Sequence, residues 1–88
     1  FVTKHHDGFC LFNSAVTEYS SAKIGPRRDF VAEVSQACAA RRIPLFLYYS
    51  LLDWHFPGFS PHSEAYRRYY HRQVEELASS FPVPGIPG

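Results

Sequence analysis

Aromatic and β-branched residues open the chain at Phe1-Val2-Thr3, and the turn signal Asp7-Gly8 follows within a few positions, so a strand is expected to end near His6. From Asp7 to Arg28 the composition shifts to Gly, Ser, Asn and Thr and closes on Gly25-Pro26. That stretch is longer than the roughly two to six residues of an ordinary βα loop, and loops of such length are usually functional or disordered. Asp29 is placed to cap a helix in which Phe30, Val34, Ala37 and Cys38 fall at i, i+4, i+7 and i+8, a single apolar stripe that should end near Arg42. Arg41-Arg42 would then meet the negative end of the helix dipole. Pro44 stops the helix and opens Leu45 to Ser50, a nearly unbroken apolar run of the kind found in strands covered on both faces.

A second loop, Leu51 to Pro61, is rich in aromatics, Gly and Pro. From about Ser63, the positions Tyr66, Tyr70, Gln73/Val74, Leu77 and Phe81 trace a longer helix, with Glu64/Arg68 and Arg72/Glu76 as i,i+4 pairs on its outer face. Residues 82–88 form a Pro/Gly tail that cannot be a central strand, because proline lacks the ladder donor. Apolar strands alternating with amphipathic helices indicate parallel pairing through right-handed crossovers, the repeating unit of an α/β barrel or a doubly wound sheet.

Composition narrows the function classes. The chain has 88 residues, 45% hydrophobic and 17% aromatic, with nine Lys+Arg against eight Asp+Glu, which excludes an acidic disordered tail and a basic nucleic-acid arm. The tract Arg67-Arg68 with Arg72 has acids three to four positions away, so no nucleic-acid patch is expected there either. No run approaches the ~20 apolar residues of a membrane span. A chain this short buries only about 60 to 65% of its unfolded surface. It also starts inside a strand pattern and contains no Met, so a piece of something longer is expected. Cys10 and Cys38 lack C-x-x-C spacing, which leaves the compartment open and points to buried thiols rather than a disulfide framework, a zinc site or a nucleophile.

The sharpest chemical cluster is His5-His6-Asp7, at the C-terminal end of a parallel strand, where α/β folds place their sites. As a metal site it is poor, because successive strand residues point to opposite faces and no nearby spacing completes a ligand set; neither metal nor cofactor is expected. A structural imidazole pair and a ligand-binding pair remain open on spacing alone. Tyr48 and Tyr49 end the second strand at the same rim, so one phenol should face the interior or crevice and the other the covering helices. Trp54, His55, Phe56 and Phe59 in the following loop would suit a sugar ring with its C–H faces and hydroxyls, or equally a satellite cluster holding the loop down. Among the carboxylates, Asp29 reads as a cap, Asp53 as a loop anchor, and Glu64, Glu75 and Glu76 as a solvated helix face; nothing pairs two of them across a scissile bond, so no catalytic residue is assigned.

The string Thr3-Lys4-His5-His6-Asp7-Gly8-Phe9-Cys10-Leu11-Phe12, then Tyr19, Gly25-Pro26-Arg27-Arg28-Asp29, and Leu47-Tyr48-Tyr49-Ser50-Leu51-Leu52-Asp53-Trp54-His55, resembles the α-L-fucosidases of the retaining glycoside hydrolase family 29. The likeness runs from residue 1 to about 77. It implies a partial (β/α)8 TIM-like barrel made of two βα units, with residues 1–81 as a piece of the catalytic barrel and 82–88 as a tail. It implies that His5, His6 and Tyr48 bind fucose hydroxyls while Tyr49 points outward, and that Trp54 and His55 shape the rim. The family's nucleophile, an Asp on the strand after the second helix, and its acid/base carboxylate have no counterpart in these residues, where Ser79 to Gly88 stands instead. The implied partners are a fucosylated glycan or glycoconjugate and the remainder of the barrel. A non-catalytic, truncated sugar- or partner-binding remnant is the alternative.

Overall fold

A computed structural model describes residues 1–60 and 62–81. The order of elements is β1 (Val2–Lys4), α1 (Phe30–Ala40), β2 (Tyr48–Tyr49) and α2 (Glu64–Ser80). The two strands pair in parallel, Val2 opposite Tyr48 and Lys4 opposite Tyr49, with a register shift between the two positions. This is the small α/β arrangement expected from the alternating pattern. The Pro/Gly tail at 82–88 lies outside the described residues.

Both helices start where a side chain can satisfy an orphan amide. Asp29 accepts from the Ala32 N–H at 2.8 Å and Ser63 from the Tyr66 N–H at 3.3 Å. The second Asp29 oxygen accepts from the Asn13 N–H at 2.9 Å, so one carboxylate caps α1 and pins the loop before it. Asp29→Ala should therefore cost about 1–2 kcal/mol, the upper part of the capping range. A loss below about 0.5 kcal/mol in a denaturant titration would show that solvent replaces both contacts. Helix α1 ends at Ala40, two residues before the expected Arg42. Arg42 turns into the left-handed region at φ 55°, with its N–H on Ala39 and the Ile43 N–H on Cys38, a Schellman arrangement that uses the basic pair as the stop.

Packing shifts the expected faces. Val31, not Phe30, is the fully buried residue of α1, because its N–H bonds the Leu11 carbonyl and its side chain joins Cys10, Phe12 and Leu77 in the core. On α2 the buried positions are Tyr66, Gln73 and Leu77, while Val74 is exposed. The outer pair Glu64/Arg68 forms at 2.9 Å. Glu76 instead accepts from the Ser14 hydroxyl and the Ala15 N–H, each at 2.7 Å, so it clamps the long loop rather than lying on a solvated face with Arg72.

The segment from Asp7 to Arg28 is ordered by the same logic. Leu11 N–H bonds Thr3 O at 2.8 Å, and Cys10 exchanges backbone bonds with Tyr19 and Ser21, so this loop covers the outer edge of β1. Its alternating Cys10 and Phe12 are buried in the core. The run Leu45 to Ser50 is not covered on both sides: Leu47 and Tyr49 pack against the core, whereas Phe46 and Tyr48 are exposed. Among the described residues both helices pack toward the Leu47 and Tyr49 face of the strand pair, and the other face, bearing Phe46 and Tyr48, is open.

Candidate functional site

Strand β1 ends at Lys4, two residues earlier than its composition suggests, and the chain turns at once, with the Gly8 N–H on the His5 carbonyl at 3.0 Å. Strict alternation therefore no longer applies to His5 and His6. Their rings come together, centroids 4.1 Å apart. The Tyr48 ring stacks 5.9 Å from His5, and the Trp54 indole lies 5.6 Å from His6. Two imidazoles, a phenol and an indole thus share the C-terminal rim of the parallel strands. His6 Nδ1 is 2.6 Å from Ser50 Oγ, which also accepts from the Leu52 N–H, so the end of β2 orients this imidazole. Tyr48 is 48% exposed and Trp54 72%, which leaves both available to a ligand.

Tyr49 points the other way. Its hydroxyl bonds Gln73 Oε1 on α2 at 2.5 Å, and burial pushes its ionisation well above the ordinary phenol range. The two tyrosines divide as alternation requires, Tyr48 toward the open face and Tyr49 under the helix. The aromatic loop also divides. Phe56 and Phe59 pack edge-on against Tyr66 and hold the loop down, and His55 stacks on Tyr19 at 3.7 Å, so only Trp54 reaches the rim beside His6.

Below the rim lies a buried polar cluster that local pattern does not signal. Lys4, fully enclosed, donates from Nζ to Asp53 Oδ2 and to the Tyr66 hydroxyl, each at 2.9 Å, with Nζ also 4.4 Å above the Tyr49 ring. Burial lowers the ammonium pKa from its usual value, and the Asp53 partner works against that. The same burial raises Tyr66 above the ordinary phenol range and Tyr69 to about 12. Asp53 Oδ1 accepts from the His55 and Phe56 N–H groups at 3.0 and 2.9 Å, which is the anchor role its loop position suggests. Cys10 sits deeper, its Sγ 3.3 Å from the Gln73 amide, and burial pushes its thiol up to about 11. A thiol so protonated is a packing group rather than a nucleophile.

Of the carboxylates at this end of the strands, Asp53 is committed to Lys4 and Asp7 accepts from the Phe9 N–H of its own turn. Among the described residues no three His, Cys, Asp or Glu side chains come together as metal ligands, and no helix is long and apolar enough to cross a membrane. The rim can therefore offer hydrogen bonds to hydroxyls and an aromatic face to C–H groups.

The sequence profile of the α-L-fucosidase family matches residues 1–85. The chain is 45% identical over 56 residues to human tissue α-L-fucosidase, covering 62% of this chain and 12% of that protein. It is 38% identical over 81 residues to α-L-fucosidase 1 of Arabidopsis thaliana, covering 89% and 16%. The structure of the Thermotoga maritima α-fucosidase in complex with fucose superposes on 91% of this chain and 22% of its own, with a TM-score of 0.84 at 35% identity. The chain thus spans less than a quarter of each of these relatives. A profile match over nearly its whole length, with solved structures that agree in fold, means that the chain belongs to the α-L-fucosidase family.

Proposed function

We propose that these residues supply two βα units of an α-L-fucosidase (β/α)8-type barrel and one side of its fucose pocket, with His5, His6 and Tyr48 as substrate-binding residues. The observation that carries the reading is the convergence of two imidazoles and a phenol on the open rim of a chain of this family. A fucose ring offers hydroxyls at fixed angles; His6, held by Ser50 through Nδ1, has its other ring nitrogen left for one of them, and the His5 imidazole beside it can meet another. Such bonds strengthen as the ring flattens toward an oxocarbenium ion, so positioning by these side chains favours the transition state over the bound sugar. Trp54 supplies an apolar wall beside His6.

In a retaining glycosidase one carboxylate attacks the anomeric carbon, a glycosyl-enzyme forms, and water releases the sugar with retained configuration while a second carboxylate serves as acid and then base. The rim has no pair for this: Asp53 is locked in its ion pair and Asp7 in its turn. The nucleophile and the acid/base belong to other parts of the barrel, and these 88 residues assayed alone should release no fucose from an aryl α-L-fucoside. The open face bearing Phe46 and Tyr48 fits a chain that completes its core against those other parts. The alternative of a non-catalytic binding remnant draws on no observation of its own.

The test is His5→Ala in the complete polypeptide carrying this segment. A loss of about 100-fold in kcat/KM for the aryl fucoside is expected, the size of removing one preorganised hydrogen-bond group. An unchanged kcat/KM would remove His5 from the pocket, and turnover by the 88 residues alone would place the catalytic carboxylates among them.

A further inference from the structure

Lys4 directly precedes His5, and Asp53 directly precedes Trp54. Their side chains meet in the buried ion pair, so both halves of the rim hang from one contact between residues 49 positions apart. Asp53 then holds the far side of the Trp54 turn through the His55 and Phe56 N–H groups, while the Trp54 N–H bonds the His6 carbonyl at 2.8 Å. Gly8, at the other end of the His5-His6 turn, packs against the same carboxylate. The Tyr66 hydroxyl joins α2 to Lys4 Nζ and completes the clamp.

Resting on the sugar-site reading above, we propose that Lys4 and Asp53 are positioning residues for substrate binding: they do not touch the sugar, but fix where Trp54 stands relative to His5 and His6. An apolar pair of similar volume would hold the loop down as well as a buried ion pair does. What the charged pair adds is direction, since a carboxylate with two backbone donors on one oxygen and an ammonium on the other allows the Trp54 turn one orientation. An indole that moves by an ångström no longer meets the sugar face, so the effect should fall on binding more than on the chemical step.

The experiment is a cycle in the complete polypeptide. Lys4→Met with Asp53→Asn removes both charges together, and the amide keeps an acceptor for the loop N–H groups, so no lone buried ion remains. KM for an aryl α-L-fucoside should rise about tenfold with kcat changed less than about threefold, and in a Trp54→Ala background the same double substitution should change KM less than about twofold. A purely structural pair would leave KM at its parent value, or shift it equally with and without Trp54, and either result overturns the proposal. Tyr66→Phe repeats the test without removing a charge, since it deletes only the hydroxyl that steadies Nζ. A Trp54-dependent rise of about threefold in KM is expected, and an unchanged KM overturns the proposal. His5→Ala, run alongside, keeps the two readings apart: if it has no effect the sugar site itself fails, whereas a large His5 effect with a flat cycle rejects only the role of the pair.

Discussion

Lys4→Met should destabilise the complete polypeptide by about 3–5 kcal/mol, the cost of breaking a buried ion pair by removing one partner. The size follows from what is left behind. Asp53 is as enclosed as its partner, and without the ammonium it is a buried carboxylate whose remaining donors, the His55 and Phe56 N–H groups, both lie on one oxygen. The Tyr66 hydroxyl loses the Nζ donor, and the Tyr49 ring loses the cation over its face. Denaturant titration checks the value, and the companion double substitution supplies the internal control. If the penalty belongs to an uncompensated charge, adding Asp53→Asn to Lys4→Met should recover most of it, because two neutral groups replace one stranded ion. A loss below about 1 kcal/mol for Lys4→Met alone would mean that water reaches the pair, as at an exposed salt bridge.

That cluster also shows where reading the residues in order succeeds and where it stops. Strand, helix, strand, helix, the cap at Asp29 and the start of the second helix near Ser63 are legible because each rests on neighbours within one turn. His5, His6 and the Tyr48-Tyr49 pair stand out because rim positions of parallel strands concentrate chemistry, whereas the choice of Tyr48 over Tyr49 comes from the family resemblance. Their convergence was not derivable from strand alternation, since alternation assumes a strand that in fact ends at Lys4. No local pattern marks Lys4 as buried, for a lone buried ammonium is prohibitive and the carboxylate that makes it tolerable lies 49 positions away. Glu76 is the converse case. A local partner in Arg72 satisfies the helix rule, yet two donors from the long loop, 61 and 62 residues distant, outbid it. The order of that loop is hidden for another reason: its Ser- and Thr-rich composition suggests mobility, while the Leu11 N–H on Thr3 ties it to the sheet edge and the backbone bonds of Cys10 with Tyr19 and Ser21 fold it on itself. The pattern in these residues leaves an α/β barrel and a doubly wound sheet both open, and the barrel proposed to cover Phe46 and Tyr48 rests on the family resemblance.

Gly8→Ala should cost about 2–5 kcal/mol and disturb the rim from the opposite side of the same carboxylate. Two effects add there. Gly8 holds φ at +80°, which carries a steric cost of roughly 1–2 kcal/mol for an L-residue. A Cβ at that position would also stand 2.3 Å from Asp53 Oδ1 and 2.9 Å from His55 Cβ, so something must move. Asp53 cannot give way freely, because one of its oxygens is held by Lys4 and the other by two backbone amides. The turn carrying His5 and His6 must open, or the loop carrying Trp54 must lift. Gly25 separates the two effects: its φ is +71°, but nothing lies within 4 Å of a Cβ built there. Gly25→Ala should therefore pay only the conformational part, about 1–2 kcal/mol, and leave KM for an aryl α-L-fucoside at its parent value. Gly8→Ala should exceed it by the overpacking cost of about 1–3 kcal/mol and raise KM as well. Equal losses at the two glycines would mean that no close approach exists at Gly8, and the carboxylate at the centre of the clamp would then lack the wall that holds it against the His5-His6 turn.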